Sequence, residues 1–171
     1  MIGAGYWIGT GTRQLRRRMR VEPRLAVTEK EFTAFVGESV VNTFFNENSV
    51  AAAVEYRRGI GKNFDWTATY LNEGDPDVIR RNGFATQIWP VAAFLGDRVT
   101  LGFGVGPYVY FEDKADGKRT MQKAGIAPLL SPTVSVRLND DWLLRVIWDR
   151  VVSDYDRDAD VFLLGIGRRW R

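Results

Sequence analysis

The stretch from Val99 to Glu112 alternates strictly between two kinds of side chain. One set of alternate positions is apolar from end to end. The other set holds three glycines (Gly102, Gly104 and Gly106), followed by two tyrosines and a glutamate. A period of two places successive side chains on opposite faces of an extended chain, so the stretch predicts a β-strand and not a helix. Alternate glycines suit a crowded surface, where side chains from the opposite wall need room.

The length of this strand leaves two fold classes open. A tilted strand that crosses a bilayer needs about 9–11 residues, and Val99–Glu112 is long enough. In a transmembrane barrel the apolar set would face lipid, and the glycines and tyrosines would face the lumen. In a soluble lipocalin-like barrel the apolar set would line a ligand cavity, and Gly102 and Gly104 would face water.

The composition removes several other classes. The chain has 171 residues, which suits one domain and one barrel of eight strands. No apolar run approaches the roughly 18 residues of a membrane helix. The absence of cysteine excludes disulfides and thiolate metal sites, and the absence of histidine excludes His-based catalytic triads. We therefore expect no cofactor and no metal.

The basic character of the chain is concentrated at its start. Met1–Lys30 carries seven basic and two acidic side chains, whereas the remainder is slightly acidic. No apolar segment follows the positive charges, so a secretory signal peptide is not recognisable. We expect residues 1–30 to be a basic, disordered leader or upstream sequence from a misplaced start. The alternative is an arm for nucleic acid or anionic lipid, but we predict no nucleic-acid partner.

From Glu31 onward the alternating pattern recurs and predicts about eight strands. The connections alternate in length: residues 58–63, 95–98 and 139–141 are short, whereas 74–82, 113–120 and 150–159 are longer and charged. Short turns at one rim and long loops at the other are typical of outer-membrane barrels. The apolar faces also end in aromatic residues of the kind that form interface girdles. These are Trp66, Tyr70, Trp142, Trp148 and Trp170.

Three segments carry a resemblance to known proteins. Thr69–Glu73, Asn82–Trp89 and Gly104–Glu112 resemble a group of uncharacterised proteobacterial outer-membrane barrels. More broadly, residues 31–171 resemble the small eight-stranded superfamily, which includes the outer membrane protein A and X types and the lipid A deacylase and palmitoyltransferase barrels. Trp170 is penultimate here, whereas such barrels usually end on an aromatic residue.

The resemblance implies a closed, antiparallel, up-and-down transmembrane barrel over residues 31–171. It implies a bacterial outer-membrane location and a monomer that contacts outer-membrane lipid and lipopolysaccharide. Arg80, Arg81, Lys118 and Arg119 lie on the long-loop rim, where their cations could meet lipopolysaccharide phosphates. The alternative for these four side chains is a solvated rim.

Polar side chains on the inward registers form the candidate site. Eight strands leave an interior just wide enough for side chains, and a buried charge without a partner costs several kcal/mol. We therefore predict a network that fills the lumen, with Glu38 and Arg145 in one cluster; the alternative is a path for ions or small solutes. The predicted set is Glu38, Glu55, Arg57, Asp65, Gln87, Tyr108, Tyr110, Arg137, Arg145 and Asp149, with Arg169 on the last strand.

The sequence does not support the catalytic activity of the two enzymes in the superfamily. Those enzymes use a histidine with a serine and a carboxylate, and they expose their chemistry to lipid. This chain lacks histidine, and its Ser131 and Ser135 lie on an inward register. We predict a non-enzymatic protein with a structural or surface-interacting role, the alternative being a lipid-modifying enzyme without histidine. Asp154, Asp156, Asp158 and Asp160 lack the glycine and final glutamate of an EF-hand, so we expect a solvated loop there.

Overall fold

A computed structural model describes residues 30–41, 47–74, 80–116, 119–152 and 158–170. Eight antiparallel strands form one closed barrel, in which the first strand also pairs with the last. The predicted fold class is confirmed. The strands are β1 (Lys30–Val41), β2 (Glu47–Gly61), β3 (Phe64–Asn72), β4 (Arg80–Phe94), β5 (Val99–Asp116), β6 (Arg119–Arg137), β7 (Trp142–Val151) and β8 (Ala159–Trp170).

The described residues of β1 start at Lys30, one residue before the predicted boundary. The rest of the predicted leader, residues 1–29, lies outside the described residues. Among the residues that the structure does describe, there is no helix with the length and hydropathy of a membrane span.

The two faces of each strand are sharply different. Outward side chains such as Phe103, Val105 and Leu164 are about half exposed, at 46%, 48% and 55%. The inward positions hold many polar side chains that are almost completely buried, Glu31 and Arg57 among them. The alternative of a soluble lipocalin-like barrel is therefore wrong, because it required the apolar set to line the interior.

The connections predicted to be short are short and lie together at one rim of the barrel. Residues 62–63, 95–98 and 138–141 join strands at the end of the barrel where Lys30 pairs with Trp170; we call this the short-turn end. We call the opposite ends of the strands the long-loop end.

The predicted loop over residues 113–120 is wrong in part. β5 continues to Asp116 and β6 starts at Arg119, so the two strands form a hairpin whose ladder runs almost to its tip. Opposite charges occupy paired positions at Glu112 and Lys123. Cross-strand pairs of opposite charge stabilise a ladder, so a charged sequence is compatible with a strand.

The five outward aromatic residues predicted to form girdles fall into two groups, as a girdle at each membrane interface requires. Trp66, Trp142 and Trp170 lie towards the short-turn end of their strands, whereas Tyr70 and Trp148 lie towards the long-loop end. The two groups bound the apolar surface of the barrel between them.

We predict that Val105→Arg destabilises the barrel by about 2–4 kcal/mol, because the new charge lies near the middle of the lipid-facing surface. Urea unfolding in phospholipid vesicles measures the change. Leu138→Arg is the matched control, since Leu138 is an exposed turn residue at the short-turn end and a charge near the interface costs about 0–1 kcal/mol. Equal stability of the two variants would contradict the membrane placement of β5.

Candidate functional site: the barrel lumen

A cluster of buried ions occupies the lumen towards the short-turn end. Arg145 Nη1, from β7, lies 2.6 Å from Glu31 Oε1 and 2.8 Å from Glu55 Oε1. Arg145 Nε also donates a hydrogen bond to Ser135 Oγ at 2.9 Å, and Thr33 donates one to Glu31 at 3.1 Å. The two carboxylates come from β1 and β2, so one guanidinium joins three strands across the barrel.

Two further arginines complete this cluster. Arg57 Nε lies 3.0 Å from Glu55 Oε1, and its Nη1 lies 3.5 Å from Asp65 Oδ2. Arg169 Nε lies 3.7 Å from Glu31 Oε2. Three carboxylates are thus matched by three guanidinium groups, which is the arrangement that offsets the desolvation of buried charges. We call these six residues the ion cluster: Glu31, Glu55, Asp65, Arg57, Arg145 and Arg169.

Trp89 forms the next layer of the lumen. Its side chain is fully buried, and the Arg57 guanidinium carbon lies 4.2 Å from the centroid of its ring. The indole N–H donates to Thr67 Oγ1 at 2.8 Å. A Cβ atom at Gly104 would lie 2.6 Å from the indole ring, so the glycines of β5 make the room that this ring occupies.

A hydrogen-bonded chain crosses the middle of the lumen. Gln87 Nε2 donates to Ser131 Oγ at 2.8 Å and to the backbone oxygen of Leu129 at 3.4 Å. The Ser131 hydroxyl in turn donates to Asp149 Oδ1. Ser131 is therefore enclosed in the lumen and oriented by two neighbours.

A second charged group lies at the long-loop end of the lumen. Arg81 Nη1 lies 3.4 Å from Glu73 Oε2, and its guanidinium carbon lies 4.9 Å from the ring centroid of Tyr110. Tyr108 packs beside Tyr110, and Glu112 is buried opposite Arg81 in the β4–β5 register. Glu73 follows the end of β3; burial raises the pKa of its carboxyl, and the Arg81 cation opposes that shift.

Most of the predicted lumen residues lie inside the barrel, but Glu38 does not. Its side chain is exposed, and its register partners Val50 and Phe162 are also exposed. The prediction for Glu38 is wrong because Glu31 and Glu38 are an odd number of residues apart, so the two face opposite sides of β1. Those predicted residues that are buried inside are Glu55, Arg57, Asp65, Gln87, Tyr108, Tyr110, Arg145 and Asp149.

Two predicted arginines have other roles than those expected. Arg137 lies at the short-turn rim, where its Nη2 is 3.0 Å from Asp97 Oδ2. Arg81 was expected to meet lipopolysaccharide, but it is buried and paired with Glu73, so that expectation is wrong. The side chains of Arg80, Lys118 and Arg119 lie outside what the structure describes.

The aspartates before and within β8 pair with an arginine. Arg150 lies 3.3 Å from both Asp158 Oδ2 and Asp160 Oδ1. Asp154 and Asp156 lie outside the described residues. In the described part of the chain, no group of histidine, cysteine, aspartate and glutamate side chains could hold a metal ion.

Sequence reasoning missed three residues that the site depends on. Glu31 and Thr33 share the inward register of β1 with Phe35, and Trp89 shares that of β4 with Gln87. The prediction that Glu38 faces inward excluded Glu31, because the two residues lie on opposite registers of β1. The pairing of Glu31 with Arg145 depends on the stagger of all eight strands, which no local pattern contains.

Comparisons with known proteins agree with this architecture. No protein-family model and no curated protein matches the chain. Neisserial surface protein A matches over 85% of this chain and 99% of its own, with TM-score 0.70 and 8% identity. The N-terminal β-barrel domain of OprF from Pseudomonas aeruginosa matches over 85% and 100%, with TM-score 0.65 and 8% identity. Ail, the attachment invasion locus protein of Yersinia pestis, matches over 83% and 99%, with TM-score 0.61 and 13% identity.

The chain therefore has the fold of the small eight-stranded outer-membrane barrels. At these identities the likeness concerns the fold alone.

We predict that Arg145→Met destabilises the barrel by about 3–5 kcal/mol, because it leaves Glu31 and Glu55 without their shared cation. Adding Glu55→Gln to that variant costs less than the sum of the two single changes, since both act on one cluster. Urea unfolding in vesicles measures all three variants. Asp140→Asn is the control and changes stability by less than about 0.5 kcal/mol, as a substitution at an exposed turn position should. Strictly additive effects at Arg145 and Glu55 would contradict the ion cluster.

Proposed function

We propose that the protein is a non-enzymatic, monomeric barrel of the bacterial outer membrane with a lumen plugged by its own side chains. Its role is structural or surface-interacting, through the charged connections at the long-loop end. The contact of Arg57 with the fully buried Trp89 ring carries this proposal, because it spans the interior between β2 and β4. The ion cluster, nearer the short-turn end, and the Gln87–Ser131–Asp149 chain add two more layers of side chains across the lumen.

The space left inside supports the same conclusion. The cavity at the short-turn end, beside Glu31, Arg57 and Arg145, has a volume of about 20 Å³. A single water needs about 10–15 Å³ on the same measure, so this cavity holds about one. A continuous path for hydrated ions needs far more room along the whole axis.

The outer-membrane location is supported by the fold and by the two unlike rims. Short turns at one rim, with longer connections after β1, β3 and β7 at the other, match the layout of barrels in that membrane. The interior serines support a non-enzymatic role, because Ser131 is buried and hydrogen-bonded within the lumen. A lipid substrate would approach from the outside.

We predict that the protein in a planar lipid bilayer gives no ion current steps at moderate voltage, because side chains fill every layer of the lumen. The measurement is single-channel recording, with a large porin in the same bilayer as positive control. Trp89→Ala is the informative variant, since it removes the largest fully buried side chain, and any current should first appear in it. Current steps from the unaltered protein would contradict the plugged lumen.

The basic residues of the long-loop rim remain proposed contacts for lipopolysaccharide phosphates. Ail has been crystallised with the heparin analogue sucrose octasulfate, so a barrel of this fold can carry a polyanion. For this chain the proposal concerns Arg80, Lys118 and Arg119.

We predict that replacing Arg80, Lys118 and Arg119 together by glutamine weakens binding of purified lipopolysaccharide, because guanidinium and ammonium groups form charge-assisted bonds to phosphate. Binding of labelled lipopolysaccharide to the detergent-solubilised barrel measures the effect. Arg98→Gln is the matched control, since Arg98 is exposed at the short-turn rim. Equal binding by the triple variant and the control would exclude this rim as the contact.

A further inference from the structure

The apolar surface of the barrel differs in height around its circumference. On β8 the outward apolar run is bounded by Asp160 and Arg168. At about 3.3 Å per residue and a tilt of about 40°, these two residues are about 20 Å apart along the barrel axis. On β5 the outward run from Val99 to Phe111 is uninterrupted, and it extends for about 30 Å on the same basis.

The neighbouring strands show the same difference. On β1 the outward apolar residues lie between Lys30 and Glu38, and on β7 they end at Arg150. On β6 they continue from Ile126 to Val136. We call the outward faces of β7, β8 and β1 the narrow side, and those of β5 and β6 the tall side. The apolar band of a typical outer-membrane barrel is about 25 Å tall, which lies between the two.

A tilt of the whole barrel does not remove the mismatch. From the strand registers, Glu38 and Val109 lie at the same level along the axis to within roughly 3 Å, and so do Arg168 and Leu101. Thus charges on the narrow side lie level with apolar residues on the tall side at both ends. A tilt would move both charged ends of the narrow side in the same direction along the membrane normal. Instead, each charged end lies closer to the middle of the barrel than the corresponding end of the tall side.

The charges on the narrow side need water or head groups. Glu38 is exposed and has no ion pair or hydrogen bond among the described residues. It borders an open groove of about 650 Å³ whose other walls include Val36, Val50, Phe162 and Leu164. A carboxylate left in hydrocarbon is strongly unfavourable, and a span shorter than the bilayer is accommodated by local thinning.

We propose that the narrow side is a lipid contact surface that thins the bilayer, with a hydrocarbon layer of about 20 Å beside β8 and β1. Head groups on one leaflet reach Glu38, and those on the other reach Lys30 and Arg168. The tall side keeps a layer of ordinary or greater thickness. This inference rests only on the membrane-spanning fold and is independent of the plugged lumen. The presence or absence of ion current through the barrel therefore does not affect it.

The test measures the depth of matched positions. The chain contains no cysteine, so Glu38→Cys, Val109→Cys, Arg168→Cys and Leu101→Cys each take one spin label. The labelled proteins are folded into dioleoylphosphatidylcholine vesicles, with folding checked by unheated and boiled gel electrophoresis. Collision rates with oxygen and with a water-soluble nickel chelate then report depth. We expect several-fold higher nickel accessibility at 38 than at 109, and at 168 than at 101.

Three results would overturn the proposal. Equal depth within either matched pair removes the thinned layer, and opposite signs in the two pairs indicate a tilted barrel instead. A label at 38 that is shielded from both reagents indicates a protein partner on the narrow side, which also overturns it. Arg168 stacks on Trp142, so Lys30→Cys replaces Arg168→Cys if that variant fails to fold.

Discussion

The contact of Arg145 with Glu31 and Glu55 is the interaction on which the rest of the barrel depends. Its three members come from β7, β1 and β2, and these strands surround the seam where β1 closes on β8. The ion cluster is satisfied only when the closing register is correct. A polar interior of this kind contributes little net stability compared with an apolar one, but it penalises every closure that leaves a charge without its partner.

Steric fit governs the remainder of the lumen. At two positions a large inward aromatic ring lies over a glycine at its register partner on a neighbouring strand, as aromatic side chains do over glycines in stable sheets. Glycine is needed because a Cβ atom at these positions would collide with the ring. The alternate glycines of β5 therefore reflect the narrow bore of eight strands, not flexibility. Two such pairs are Phe35 with Gly165 and Tyr110 with Gly125.

The sequence predicted the faces better than the contacts. Where one register is wholly apolar, as in β5, period-two alternation assigns every side chain, and the assignments on β2 to β8 are correct. β1 carries a glutamate on each register, so charge alone does not decide which of Glu31 and Glu38 faces inward. The partner of Arg145 could not be predicted from the sequence for a different reason, since it depends on the stagger accumulated around the closed barrel.

The pairing of side chains inside the lumen also determines which side chains face lipid. Because side chains alternate, a register that places Glu31 against Arg145 necessarily turns Lys30 and Glu38 outward. Shifting β1 by one residue would bring Glu38 into the lumen, but it would turn Glu31 and Thr33 out into lipid and break the ion cluster. The charges that shorten the narrow side are thus held there by the pairing inside the lumen. The barrel accepts an unfavourable outer face on β1 because the alternative register removes Glu31 from the ion cluster, where it pairs with Arg145 and Arg169.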